Sequence, residues 1–161
     1  MIREVHGDIL LSSAQAIAHG VSPNDNFGQG LALSLRERWP AMYKDFRHYC
    51  HTAHPKTGEL WVWAGADGKR IVNLMTQEAA YGHGERPGEA TVPNVNHALR
   101  ALARLIEAEQ ITSIALPRLA TGVGRLQWEQ GRPLIDEHLG ALPASVYLYT
   151  LYEKGVHASE D

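Results

Sequence analysis

Hydrophobic residues along the 161-residue chain occur either in short strand-like runs or at helical spacing. In residues 92–108, apolar side chains recur every three or four positions, which predicts a helix with one buried face. Residues 111–116, ITSIAL, are apolar and partly β-branched, which predicts a buried strand. Further strands are predicted at 2–6, 14–22, 58–65, 69–75 and 145–152, and further helices at 31–39, 41–50 and 128–139, the last disturbed near 131–133.

The order of these elements indicates an α/β fold. Strands and helices alternate in the second half of the chain, which favours right-handed crossovers and a mainly parallel sheet with helices on both faces. Such sheets bind ligands at the carboxyl ends of their strands, on loops that lead into helices. Two glycine-containing loops have this position, 24–30 and 117–125.

Both loops are suited to binding phosphate. Glycine permits a positive φ and lets a ligand approach the backbone, and free N–H groups beside a helix N-terminus attract anions. Neither loop is a complete nucleotide fingerprint, because GQGLAL lacks a third glycine and no G-x-x-x-x-G-K-[ST] occurs. One such loop can be an ordinary turn, but two at equivalent strand ends predict the two walls of a diphosphate groove.

Composition points to one soluble domain. The chain is 44% hydrophobic and 20% charged, and its net charge of −3 disfavours extensive contact with nucleic acid. The single cysteine, Cys50, excludes an intrachain disulfide. No signal peptide and no membrane-length apolar run are recognisable, so we expect a cytoplasmic protein. We expect a single domain at 1–152 and a frayed polar tail at 153–161.

Three segments are similar to a known family. HGDIL near the N-terminus, AHGVSPNDNFGQGLA after the second strand and LPRLATGVGRLQWE after a late strand resemble the macrodomains. Within that family they look most like the branch of the terminal ADP-ribose protein glycohydrolase. The resemblance implies a three-layer α/β/α macrodomain fold with a central mixed, mainly parallel sheet, and a cleft for ADP-ribose or an ADP-ribosylated protein or nucleic acid. We expect a monomer without cofactor, metal or membrane contact.

The resemblance also implies ligand contacts. Asp8 would accept a hydrogen bond from the adenine amino group beside the backbone of Ile9, and Tyr149 or Tyr152 would pack on the base. The other implied ligand-binding residues are Ser22, Phe27, Gly28, Gln29, Gly30, Leu31 and Thr76, and Pro117, Leu119, Thr121, Gly122, Val123, Gly124 and Arg125. The residues alone leave alternatives: Asp8 as a turn or N-cap residue, the tyrosines as core or surface residues, and Arg125 as a partner of a carboxylate.

The sequence departs from this branch at two catalytic positions. Gln77 stands where the branch has a lysine, and Gly124 stands where it has an aspartate. An amide cannot form a Schiff base and glycine offers no acid or base, so the lysine-adduct mechanism cannot apply. A water positioned by Gln77 and the diphosphate could still attack the anomeric carbon of ADP-ribose attached to a carboxylate, because a carboxylate is a good leaving group.

Two alternatives to this hydrolase remain open. The loop AYGHGERPGE resembles a segment of a yeast member of the branch that acts on ADP-ribose 1″-phosphate, with His83 as candidate general acid or base and Glu85 orienting it. An exposed loop histidine is the simpler interpretation of His83. The second alternative is a protein that binds ADP-ribose without catalysis. His19 is interpreted as a buried structural histidine, and HYCHTAH, at 48–54, fits no standard zinc pattern.

Overall fold

A computed structural model describes residues 1–79, 88–122 and 124–161 of the chain. Within them, six strands and four α-helices follow the predicted order, and a short 3₁₀-helix follows the first strand. The elements are β1 (Ile2–Gly7), a 3₁₀-helix (Ile9–Leu11), β2 (Ala16–Val21), α1 (Gly30–Arg38), α2 (Pro40–Ala53), β3 (Leu60–Ala64), β4 (Arg70–Met75), α3 (Val92–Ala108), β5 (Ser113–Pro117), α4 (Trp128–Leu139) and β6 (Ser145–Tyr152).

The strands form one mixed sheet in the order β1-β6-β5-β2-β4-β3. Every neighbouring pair is parallel except β3 with β4. The mainly parallel sheet predicted from the sequence is therefore confirmed. The carboxyl ends of β1, β2, β4, β5 and β6 meet at one edge, which is where ligands bind in sheets of this kind.

The helices cover both faces of the sheet, as predicted. Side chains of β2 alternate between the two cores: Ala16 and Ala18 pack with α3 and α4, whereas Ile17 and Val21 pack with α1 and α2. This period of two is typical of a strand buried on both faces. The result is the expected three-layer α/β/α arrangement.

Helix ends follow local chemistry. Helix α3 has the predicted bounds, because the Thr91 side chain accepts a hydrogen bond from the Asn94 N–H and caps the first turn. Helix α2 extends three residues beyond its predicted end and stops where His54 adopts a left-handed φ of 48°. Helix α4 is continuous, so the predicted disturbance near 131–133 is wrong. Pro133 leaves only the carbonyl of Glu129 without a donor, and that residue is exposed to water.

The expectation of a frayed tail is also wrong. Glu160 accepts hydrogen bonds from the Ser12 hydroxyl and the Ser13 N–H, and Gly155 donates to Asp8. These partners lie about 150 residues earlier in the chain, so the composition of the tail could not reveal them. Among the described residues, no helix is both long and apolar enough to cross a membrane.

Candidate ligand-binding site

Two adjoining cavities open at the carboxyl edge of the sheet. The loop cavity, of about 240 Å³, lies between the loop that precedes α1 and the loop that follows β5. The tyrosine cavity, of about 370 Å³, lies beside the ends of β1 and β6 and is lined by Tyr149 and Tyr152. Gly30, Leu31 and Pro117 line both cavities, which therefore adjoin, and the two together are called the cleft.

Most of the residues predicted to bind ligand line this cleft. The predicted residues in the loop cavity are Gly28, Gln29, Gly30, Leu31, Gln77, Pro117, Leu119, Gly122 and Gly124. Those in the tyrosine cavity are Ile9, Gly30, Leu31, Pro117, Tyr149 and Tyr152. The fold brings together two loops that are about 90 residues apart in the sequence.

Other predicted residues lie outside the cavity lining. Four of them are buried: Asp8, Ser22, Phe27 and Thr76. The Thr121 hydroxyl donates to the Arg118 carbonyl, and the exposed Arg125 pairs with Glu89 at 3.5 Å. Val123 and His83 lie outside the described residues.

Asp8 is the N-cap of the 3₁₀-helix. Its Oδ1 accepts from the Leu10 N–H at 3.0 Å, and its Oδ2 accepts from the Gly155 N–H at 3.0 Å. The neighbours Gly7 and Ile9 line the tyrosine cavity. The capping alternative raised from the sequence is thus present. It leaves further lone pairs on the carboxylate, because each oxygen can accept two hydrogen bonds.

The loop before α1 is organised by Asp25, a residue that sequence reasoning missed. Its Oδ2 accepts from the N–H and hydroxyl of Ser22 at 2.9 and 3.2 Å, and its Oδ1 accepts from the Phe27 N–H at 2.8 Å. These bonds hold Phe27 at a φ of 53°, which a bulky residue rarely adopts. The available signal was an aspartate two residues before the donor that it caps, a common turn pattern.

Two arginines fix the same loop from the helices behind it. Arg36 of α1 donates to the Asn26 carbonyl at 3.0 Å, and Arg47 of α2 donates to the Asn24 carbonyl at 2.6 Å. The guanidinium of Arg118 lies over the Trp128 ring, and Arg118 lines the loop cavity. These cations make the surroundings of the loop cavity favourable for an anion.

The N-terminus of α1 faces both cavities. Its N-cap, Gln29, makes no side-chain capping bond, and Gly30 begins the helix with a φ of 59°. The first N–H groups of an α-helix have no partner within the helix, and they carry the positive end of its dipole. An anion in the cleft can therefore receive hydrogen bonds from this turn.

The loop after β5 depends on its two glycines for opposite reasons. A Cβ added to Gly122 would meet no atom of the described residues within 4 Å, so it would point into space that these residues leave open. A Cβ added to Gly124 would lie 2.7 Å from the Ala120 carbonyl oxygen and 3.1 Å from Cβ of Ala90. The loop closes over Gly124 because Leu126 donates to the same Ala120 carbonyl at 2.8 Å. An aspartate at 124 would not fit this loop.

His19 is buried and neutral. Its Nε2 lies 2.6 Å from Oδ1 of Asn73, whose amide nitrogen donates to the Trp61 carbonyl, so Nε2 carries the proton. Burial lowers the pKa of His19 to about 4, against a weaker opposing effect of the Asn73 hydrogen bond. Nδ1 has no partner among the described residues. The sequence interpretation of a buried histidine is confirmed, and His19 also lines the loop cavity.

Gln77 lines the same cavity and is only 4% exposed. Its amide nitrogen donates to the Gly88 carbonyl at 3.3 Å, and its backbone forms an isolated bridge with Ala90. The amide oxygen of Gln77 is an acceptor, and its nitrogen has a second N–H to donate. Gln77 can orient a water or a hydroxyl group, but it cannot act as a nucleophile.

The family of the chain follows from a match over most of its sequence. The Macro domain family matches residues 15–135, which include β2, the loop before α1 and the loop after β5. The chain belongs to the macrodomain family. The sequence resemblance is thus confirmed, and two of the three segments that carried it include the loops on either side of the loop cavity.

Relatives of this macrodomain include bacterial and human proteins. A DNA ADP-ribosyl glycohydrolase from Thermus aquaticus is 28% identical over 92% of this chain, and the match covers 41% of that protein. The chain therefore spans about two fifths of this bacterial relative's length. The human ADP-ribose glycohydrolase OARD1 is 26% identical, over 93% of this chain and 91% of its own.

Solved structures confirm the fold. The macrodomain of Thermus aquaticus DarG superposes with a TM-score of 0.82 at 28% identity, over 93% of this chain and 98% of that structure. Within the described residues of this macrodomain, no group of three or more His, Cys, Asp or Glu side chains could hold a metal ion.

Proposed function

We propose that this macrodomain binds ADP-ribose along the cleft and hydrolyses the bond between ADP-ribose and an acceptor carboxylate. One observation carries the proposal: the two cavities meet at the uncapped N-terminus of α1, at Gly30 and Leu31. A ligand that spans both cavities then has its central part against free N–H groups. In ADP-ribose the negatively charged diphosphate is the central part, between adenosine and the distal ribose, so it would lie against these N–H groups.

The chemistry of the two cavities supports one orientation of the ligand. The tyrosine cavity is predominantly apolar and offers Tyr149, Tyr152 and Ile9, which suits a purine base. The loop cavity offers polar groups from Gln77 and His19 together with open space above Gly122. We therefore propose that adenine enters the tyrosine cavity and that the distal ribose lies in the loop cavity.

The proposed reaction relies on positioning. Water attacks the anomeric carbon, its oxygen forms the new bond, its proton passes to solvent, and the acceptor leaves as a carboxylate with the bonding electron pair. Gln77 orients the water through its amide oxygen, and the bound diphosphate holds the ribose in place. Holding two reactants in a productive geometry can lower a barrier by roughly 7 kcal/mol or more.

The relatives support hydrolysis as the reaction class. The Thermus aquaticus relative is a DNA ADP-ribosyl glycohydrolase and the human relative is an ADP-ribose glycohydrolase. We propose a carboxylate because it is the acceptor whose departure needs no acid catalyst, and Gly124 provides none.

Binding without catalysis is the second candidate. It is favoured by Gly124, because the loop has no room there for an acidic side chain. The phosphatase alternative depends on His83, which lies outside the described residues. Both alternatives use the same cleft, so the test must separate turnover from binding.

A substrate panel separates the three functions. The purified protein is incubated with glutamate-linked ADP-ribose on a protein, with ADP-ribosylated DNA and with ADP-ribose 1″-phosphate, while calorimetry measures binding of free ADP-ribose. The proposal predicts binding together with release of ADP-ribose from glutamate. Release of inorganic phosphate would favour the phosphatase, and binding with no turnover of any substrate would favour the binding-only function.

Gln77→Ala tests the role given to the amide. We expect kcat for glutamate-linked ADP-ribose to fall roughly tenfold with little change in affinity, because the lost group acts on the attacking water. Gln127→Ala is the matched control, since Gln127 is exposed and makes no capping bond. Equal kcat values for the two variants would remove Gln77 from the mechanism.

A further inference from the structure

Residues 153–161, which follow β6, fold back onto the end of β1. The Gly155 N–H donates to Oδ2 of Asp8 at 3.0 Å, and the Asp8 N–H donates to the Val156 carbonyl at 2.7 Å. A Cβ at Gly7, whose φ is 155°, would lie 2.8 Å from that carbonyl oxygen. Only glycine at position 7 admits so close an approach, which ties this segment to the wall of the tyrosine cavity.

The carboxylate of Glu160 is a second anchor. Its Oε2 accepts from the Tyr149 hydroxyl at 2.5 Å and from the Ser12 hydroxyl at 2.7 Å, and its Oε1 accepts from the Ser13 N–H at 2.8 Å. Hydrogen bonds to a charged acceptor are stronger than those between neutral groups. Burial and the bond to Glu160 raise the pKa of Tyr149, so its hydroxyl remains a donor at neutral pH.

The segment supports the tyrosine cavity from behind and does not fill it. Gly7 and Tyr149, which the segment contacts, line the cavity, whereas no described residue of 153–161 does. The cavity retains about 370 Å³ with the segment docked, a volume within the range of ligand pockets. A segment that competed with the ligand would occupy this space.

We infer that the 153–161 segment is a structural part of the base subsite, with Glu160 and Gly155 as positioning residues. Glu160 holds the Tyr149 ring, and Gly155 holds the Asp8 carboxylate so that its remaining lone pairs can accept from the adenine amino group. The inference rests on the proposed function, since it requires adenine in the tyrosine cavity. Side chains that are already held in place lose less conformational entropy when the ligand binds, so the ligand binds more tightly.

The test compares two ligands. IDP-ribose differs from ADP-ribose in carrying a carbonyl oxygen where adenine carries the amino group, so Asp8 should favour ADP-ribose. Glu160→Ala removes an anchor of the segment that carries Gly155, so the Asp8 carboxylate should lose its position. ADP-ribose binding should then weaken roughly tenfold and binding of IDP-ribose, which lacks the amino group, much less, which lowers the preference. A purely structural role for Glu160 would weaken both ligands equally. Glu153→Ala is the control, because Glu153 is an exposed glutamate of the same segment whose contact with Gly7 uses only its backbone.

Tyr149→Phe gives a second measurement, which also serves if Glu160→Ala does not fold. It removes the hydroxyl that donates to Glu160 but keeps the ring, and it should lower the affinity for ADP-ribose by a similar factor. The Glu160→Ala/Tyr149→Phe double variant should bind ADP-ribose little more weakly than either single variant. The inference is overturned if Glu160→Ala or Tyr149→Phe binds like the control, if either binds more tightly, or if wild type shows no preference between the ligands. A wild-type protein that binds neither ligand overturns the proposed function itself.

Discussion

The two loops that enclose the loop cavity are stabilised in different ways. Residues 22–30 are held by side chains, with Asp25 bonding inside the loop and Arg36 and Arg47 fixing it from outside. The loop at 117–126 is closed by backbone hydrogen bonds around Gly124, where a side chain would collide with the Ala120 carbonyl. One loop therefore depends on charged side chains and the other on the absence of a side chain at position 124, and substitutions should separate the two.

Gly122→Val should have the largest effect on function. The added side chain enters open cavity, so stability should change by less than about 0.5 kcal/mol while ADP-ribose affinity falls more than roughly 100-fold. Calorimetry measures the affinity and urea unfolding measures the stability. Unchanged affinity in a folded variant would contradict the position of the diphosphate.

Asp25→Ala should destabilise the first loop most. It leaves the buried N–H groups of Ser22 and Phe27 without acceptors, which should cost about 2 to 3 kcal/mol in the free energy of unfolding. Asp67→Ala is the control, since Asp67 accepts one backbone N–H in an exposed turn. A loss no greater than that of the control would show that side chains do not hold this loop.

Gly124→Ala should destabilise the second loop by about 2 kcal/mol, because a methyl group must enter a space bounded by backbone. Gly122→Ala is the control, because it adds the same methyl group to open space in the same loop. Gly68→Ala would not serve, because Gly68 has a φ of 85° and any side chain there is strained. Denaturant unfolding of both variants should show a loss only at position 124. Similar stabilities would contradict the close packing described for this loop.

The first loop should also respond to acid through His19, which contacts Phe27 edge to face. The pKa of His19 is lowered to about 4 in the folded protein, so the unfolded chain binds a proton first as pH falls below about 6.5. Stability should therefore decrease between pH 7 and pH 5 by about 1 to 2 kcal/mol more in wild type than in His19→Gln. Parallel pH dependences of unfolding in the two proteins would contradict a neutral buried His19.

Much of this architecture could be predicted from local patterns. Hydrophobic periodicity predicted the order and approximate limits of the strands and helices, because the spacing of apolar residues depends on which faces of an element are buried. The sequence of the loop after β5 also identified the family. What remained hidden depends on contacts between distant residues: the His19–Asn73 pair, the arginines behind the first loop, and the docking of Glu160 on Ser12 and Tyr149.

The central claim is that one ADP-ribose spans both cavities, and a crystal structure of the complex tests it most directly. We predict the base beside Tyr149 and Tyr152, the diphosphate at the N-terminus of α1, and the distal ribose next to Gln77. ADP-ribose bound outside the cleft, or with its base in the loop cavity, would contradict the account.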